Sequence, residues 1–132
     1  SVFNVTQPLW NAMLENGFGR IVNISSVNGQ RGQFGQANYS AAKAGMHGFT
    51  MALAQEGAAK GVTVNTVSPG YVATAMTDAI REDVRDAIVA GIPMGRMASV
   101  AEIASAVHFL VGESHGYITG ANLPVNGGLF IS

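Results

Sequence analysis

A chain of 132 residues, 48% hydrophobic and 11% charged, carries enough apolar side chains for one globular core and too few charges for disorder. Its formal net charge is -1 and its seven Lys and Arg are scattered, which excludes a basic footprint for nucleic acid or an anionic membrane and points to a small-molecule partner. With no cysteine, a disulfide framework and a thiolate metal site are excluded, and a reducing, cytoplasmic setting is expected; no apolar run reaches the roughly 18 residues of a membrane span, and no export signal opens the chain.

Val2, Val5, Leu9, Met13 and Leu14 recur near helical spacing and predict a helix over residues 1–15, with Pro8 as the discordant residue. Gly17-Phe18-Gly19 interrupts the pattern before Arg20-Ile21-Val22-Asn23-Ile24-Ser25, a branched run of the kind found in buried parallel strands. A Gly- and Gln-rich loop from Asn28 to Gln36 leads to a helix expected from Tyr39 to Lys60 and ended by Gly61. Val62 to Val67 reads as the next strand, stopped by Ser68-Pro69-Gly70, and the polar segment from Thr74 to Ala90 reads as helical and mobile. Ser99 and Glu102 form a capping box opening a helix through Val111, and Leu123-Pro124-Val125 suggests a last strand before Asn126-Gly127-Gly128. About three strands alternating with helices argue an α/β layer with parallel strands in one domain, residues 1–132.

Tyr39 and Lys43 are four residues apart on one helix face, so their side chains can approach each other. A phenol, with a pKa of ~10, is a poor acid near neutrality, and a neighbouring ammonium favours its ionised form. Ser26 follows a strand, and its hydroxyl can hydrogen-bond a substrate carbonyl. Donated hydrogen bonds from Ser26 and Tyr39 on one oxygen would stabilise an alkoxide forming there, and the phenol proton would complete the alcohol. Taken singly, each feature has a plainer reading: Y-x-x-x-K occurs by chance on many helices, and a serine at a strand end is commonly a cap. The combination, in strand-loop-helix order and with Ser68-Pro69-Gly70 after the next strand, points to ketone/alcohol chemistry.

Asn23-Ile24-Ser25-Ser26, Tyr39-Ser40-Ala41-Ala42-Lys43, Asn65-Thr66-Val67-Ser68-Pro69-Gly70, Thr74, Ile118-Thr119-Gly120 and Gly127-Gly128 together resemble the short-chain dehydrogenases/reductases. Within that family, Val27-Asn28-Gly29-Gln30, Gly32-Gln33-Phe34-Gly35-Gln36 and Pro69-Gly70-Tyr71 are most similar to the acetoacetyl-CoA reductases. The resemblance implies the C-terminal half of a Rossmann-like doubly wound parallel sheet, with the N-terminal dinucleotide-binding half, its glycine-rich turn and the asparagine of the catalytic tetrad lying upstream. It implies NADPH-dependent reduction of acetoacetyl-CoA to (R)-3-hydroxybutyryl-CoA, the step feeding polyhydroxybutyrate synthesis; 3-oxoacyl-carrier-protein reductases share the chemistry.

By the same resemblance Ser26 orients the carbonyl, Tyr39 is the general acid, and Lys43 binds the nicotinamide ribose beside Tyr39. Pro69, Gly70, Val72 and Thr74 would hold the nicotinamide end of NADP(H), and Gln33, Phe34, Gln36 and Tyr71 would line the acyl pocket of an acyl-CoA or acyl-carrier-protein thioester. A homo-oligomer, a tetramer in the family, is implied as well. Two other readings stay open: a reductase of another 3-oxo or hydroxy substrate, and a truncated, inactive chain persisting as an oligomeric or binding module.

Other features are read more plainly. Gly29, Gly32 and Gly35 lack the G-x-G-x-x-G spacing of a phosphate-binding turn and are expected to serve backbone freedom. His47, His108 and His115 have no second ligand at metal spacing, so no metal is expected. Met94 and Met97 are candidates for substrate contact or gap filling. Leu129-Phe130-Ile131 is expected to be a buried tail, and the family resemblance implies that it packs with the last helix against a partner subunit.

Overall fold

The computed structural model describes residues 1–131. Helix α1 (Val2–Asn16) leads to strand β1 (Gly19–Ile24), a short helix α2 (Val27–Arg31) and the long helix α3 (Ala37–Ala58). Strand β2 (Val62–Pro69) is followed by α4 (Ala75–Asp78), α5 (Glu82–Ala90), α6 (Val100–Val111), a 3-10 turn (Glu113–His115) and strand β3 (Asn122–Val125). The strands form one sheet in the order β1-β2-β3, parallel throughout, with Ile24 opposite Val67 and Pro69 opposite Val125. This is the expected α/β architecture, a three-strand parallel sheet flanked by helices.

The sequence explains these boundaries. Pro8 lies within α1 without breaking it, and the helix ends in a Schellman closure. There Gly17 takes φ 66°, with Gly17 N–H donating to Leu14 O and Phe18 N–H to Met13 O. Gly61 (φ +72°) returns the chain from α3 into β2, where a Cβ would overlap the Gly17 carbonyl, so only glycine fits. The expected capping box is present at α6, with Ser99 Oγ accepting from Glu102 N–H and Glu102 Oε2 from Ser99 N–H. The Arg96 guanidinium, bonded to that carboxylate, and the Ser99 backbone hold Glu102 down to about 2.

Central strand β2 is buried from Val62 to Ser68, as a strand covered on both faces must be. Val62, Val64 and Ala54 form the core cluster, with Trp10, Met13, Leu14, Ile21 and Leu53 packed around it, so α1 and α3 cover one face together. Helix α6 packs along all three strands and buries Leu110.

Two local expectations are corrected. The segment expected as loop from Asn28 begins as helix α2, because Ser26 caps it. The polar stretch from Thr74 to Ala90 is two helices, divided at Arg81, whose φ -52° and ψ 142° are extended. After a turn in which Gly127 and Gly128 have positive φ and Asn126 Oδ1 accepts from Gly128 N–H, the tail is half-buried at Leu129 and Phe130 and exposed at Ile131. Among the described residues no helix is long and apolar enough to cross a membrane.

Candidate active site

The carboxyl ends of β1 and β2 lie side by side, and the chain leaves both on the same edge of the sheet, where open α/β sheets bind ligands. Beyond β1, Ser25 N–H still donates to Val67 O at 2.8 Å, and Ser26 then extends (φ -164°, ψ 154°) to cap α2, its Oγ accepting from Asn28 N–H at 3.1 Å. Lys43 reaches from α3 to this strand end, its Nζ donating to the Ile24 carbonyl at 2.9 Å. The same ammonium stands 5.7 Å from the centre of the Tyr39 ring, one helical turn earlier. The expected approach of Tyr39 and Lys43 on one helix face is therefore present.

A cleft of about 520 Å³ opens at this edge. Ser26, Gln36 and Tyr39 line it from the β1 side, and Gly70, Tyr71, Val72 and Thr74 line it from the β2 side. Gly70 is required there because a Cβ would stand 2.9 Å from Asn126 Cα. The strip after β2 is pinned by an isolated parallel bridge between Val72 and Ala98, with Ala73 N–H donating to Ala98 O and Ala98 N–H to Tyr71 O. Thr74 caps α4, and Thr77 Oγ1 accepts from Thr74 N–H at 2.8 Å. Tyr71 also borders a second cavity of about 380 Å³, which Met94 and Arg96 help to line.

Four nominated residues lie outside the cleft lining. Lys43 bonds the strand end and stands near the Tyr39 ring instead; Pro69 closes β2 half-buried; Gln33 and Phe34 sit on the exposed turn between α2 and α3, and the Phe34 side chain is fully solvent-accessible. Several residues that sequence reasoning passed over do line it: Asn28, Met76, Thr77 and Ile80. Asn28 donates through Nδ2 to Gln36 Oε1 at 3.2 Å, while its Oδ1 is buried without a protein partner. Its one sequence signal is its place two residues after a strand-end serine, the spacing of a capped turn.

Beneath the cleft, α3 is tied to the sheet by polar side chains. Ser25 Oγ donates to the Lys43 carbonyl at 2.8 Å, and His47 Nε2 meets Ser25 Oγ at 2.9 Å. Farther down, Asn23 Nδ2 donates to Thr50 Oγ1 at 2.9 Å, and Thr50 pairs with Thr66 at 2.8 Å. Burial pushes the His47 imidazole below its ordinary value of 6.5. Gly29 of α2 presses against α3 so closely that a Cβ would stand 2.8 Å from Lys43 Cβ.

Known proteins match this arrangement in sequence. The family model described as Enoyl-(Acyl carrier protein) reductase matches residues 1–130. An acetoacetyl-CoA reductase of Allochromatium vinosum is 76% identical over 131 residues, covering 99% of this chain and 53% of that protein. The acetoacetyl-CoA reductase of Cupriavidus necator is 64% identical over 129 residues, covering 98% of the chain and 52% of the relative. A 3-oxoacyl-[acyl-carrier-protein] reductase of Haemophilus influenzae is 47% identical over 132 residues and is covered to 54%. The chain spans about half the length of the curated relatives it matches. By family match, by its parallel three-strand sheet and by its ordered motifs, the chain belongs to the short-chain dehydrogenase/reductase family.

Proposed function

We propose that this site reduces the ketone of a 3-oxoacyl thioester, acetoacetyl-CoA to (R)-3-hydroxybutyryl-CoA, within a protein of the relatives' full length. The observation that carries the reading is the common cleft: Ser26 lines it from the end of β1 and Tyr39 from the first turn of α3, with the Lys43 ammonium 5.7 Å from the centre of the Tyr39 ring. Two hydroxyl donors can then hold one carbonyl oxygen, and preorganised donors of this kind are worth ~10²–10³ in rate each. Ser26 Oγ already accepts from Asn28 N–H, so its own proton is free to donate to the substrate oxygen. Tyr39 passes its proton to the oxygen as negative charge develops there, and Lys43 stabilises the phenolate left behind.

The chain's donor set suits the nicotinamide end of an NADP(H) cofactor. Gly70 leaves a flat backbone wall, Val72 and Thr74 offer backbone groups and a hydroxyl for a carboxamide, and Tyr39 with Lys43 offers partners for ribose hydroxyls. The bound cofactor supplies hydride to the carbonyl carbon. These 132 residues contain no G-x-G-x-x-G turn, so the pyrophosphate grip is not among them. Preference for NADPH, a cytoplasmic setting, a homo-oligomeric assembly and a role ahead of polyhydroxybutyrate synthesis belong to the same proposal. All of them rest on likeness to the acetoacetyl-CoA reductases.

The thioester arm has polar anchors in Gln36 and Tyr71, both on the cleft wall. The test is a chimera in which this chain replaces the 131 residues it matches in the Allochromatium vinosum relative. It should oxidise NADPH with acetoacetyl-CoA and yield the (R)-alcohol. A folded chimera that turns over only a carrier-protein thioester would assign the site to the 3-oxoacyl-carrier-protein reductases, and one inert toward both would refute the reading.

A further inference from the structure

Lys43 is held at both ends by consecutive residues of one strand terminus. Its Nζ donates to the Ile24 carbonyl at 2.9 Å, and its own carbonyl accepts from Ser25 Oγ at 2.8 Å. A hydroxyl has one proton, and Ser25 has directed its proton to a carbonyl, which can only accept. The 2.9 Å contact between Ser25 Oγ and His47 Nε2 therefore requires the imidazole to be the donor. Ser68 imposes the same condition: its Oγ donates to Asn122 Oδ1 at 2.6 Å and meets His47 Nε2 at 3.5 Å. Both hydroxyls select the tautomer with hydrogen on Nε2.

We propose that His47 is a positioning residue for Lys43, acting through Ser25. With Nε2–H donating to Ser25, the serine proton has nowhere to turn but the Lys43 carbonyl, and the turn of α3 that carries Lys43 is locked to the end of β1. In the opposite tautomer Nε2 is an acceptor, the Ser25 proton swings to it, and the Lys43 carbonyl loses its tie to the strand. His47 lies one helical turn after Lys43, on the face of α3 that meets the sheet, so the relay spans a single turn. Burial disfavours the imidazolium and keeps the ring in a form where the choice of tautomer matters. Neither His47 nor Ser25 lines the cleft, so the effect reaches the reaction only through Lys43.

This proposal rests on the reading of Lys43 as part of a reductase site, and the experiment separates the two. In the chimera, His47→Leu and Ser25→Ala should each lower kcat about tenfold, with KM for acetoacetyl-CoA changed by less than about twofold. Because both break one relay, the double variant should be no slower than the slower single variant. His47→Gln, whose amide can donate to Ser25, should recover kcat to within about threefold of the parent chimera. Thr66→Val, which removes a buried hydrogen bond farther down α3, should lower the thermal midpoint and leave kcat unchanged, as a purely structural loss does. Nitrogen-15 NMR of the His47 ring should show hydrogen on Nε2 whether or not the chimera is active. An Nδ1–H ring, an unchanged kcat in His47→Leu, or losses that multiply in the double variant would overturn the proposal. An inactive chimera with an Nε2–H ring would refute the reductase reading and leave the tautomer assignment supported.

Discussion

Ser26 Oγ accepts from Asn28 N–H at 3.1 Å, so this one side chain both starts α2 and keeps a proton for the cleft. Ser26→Ala should remove both roles: about 1 kcal/mol of stability from the lost cap, read in a thermal melt, and about a hundredfold in kcat from the lost carbonyl donor. A variant that melts earlier but reduces substrate at the parent rate would leave Ser26 as a cap only. His47 gives a second prediction at this scale. Its folded-state pKa is depressed, so below 6.5 the unfolded chain takes up a proton that the folded chain resists. The stability tied to His47 is present above pH 6.5 and is lost as pH falls below it. Denaturant titrations between pH 8 and pH 5 should show this fall in the parent and a smaller one in His47→Gln. At this scale the sequence was legible where spacing alone sets geometry, as for Tyr39 and Lys43. It did not reveal the partners of His47 and Asn28, which are 22 and 8 residues away and follow from tertiary packing. Phe34 shows the converse, since nothing in a Gly- and Gln-rich loop marks whether an aromatic ring faces a cleft or solvent.

Among the elements, those with strong local signals follow the sequence closely. The Ser99 to Glu102 capping box opens α6, Gly17 closes α1, and the branched runs form β1 and β2. Where local signals compete, tertiary structure decides. The polar stretch after Thr74 has no apolar stripe long enough to hold one helix, and it breaks at Arg81, which turns out to pair with Asp83. Five residues from Val27 to Arg31 are too few to be read as a helix from periodicity, yet the Ser26 cap and packing on α3 suffice. That packing makes Gly29 a test of the α2–α3 contact. A Cβ there would lie 2.8 Å from Lys43 Cβ and 2.9 Å from its carbonyl carbon, distances that backbone cannot relieve without moving. Gly29→Ala should therefore lower kcat as well as stability, by about 1–3 kcal/mol in denaturant. An alanine variant with the parent's kcat would show that Lys43 is placed independently of α2.

For the whole molecule, the parallel topology brings the ends of β1 and β2 to one edge, which is why residues from position 26 to position 74 meet in a single cleft. The chain spans about half the length of its relatives. Among the described residues β1 pairs on one side only, and Val5 and Leu9 of α1 are exposed beside an apolar groove of about 460 Å³. The parallel α/β class was legible from alternating elements; the extent of the cleft was not, because it depends on Met76 and Ile80 of a segment whose sequence reads only as polar helix. The cleft wall yields the substrate prediction. In the chimera, Gln36→Ala or Tyr71→Ala should reduce kcat/KM for acetoacetyl-CoA about tenfold more than for a small ketone lacking the thioester arm. Equal losses on both substrates would remove these residues from the acyl pocket.

The central claim, that Tyr39 delivers the proton in a ketone reduction beside Ser26 and Lys43, is tested most directly by Tyr39→Phe. The change keeps the aromatic ring and deletes only the hydroxyl. In the chimera supplied with NADPH and acetoacetyl-CoA, the account predicts a folded protein of unchanged thermal midpoint whose kcat falls at least a hundredfold. A Tyr39→Phe protein that reduces acetoacetyl-CoA at the parent rate would contradict it.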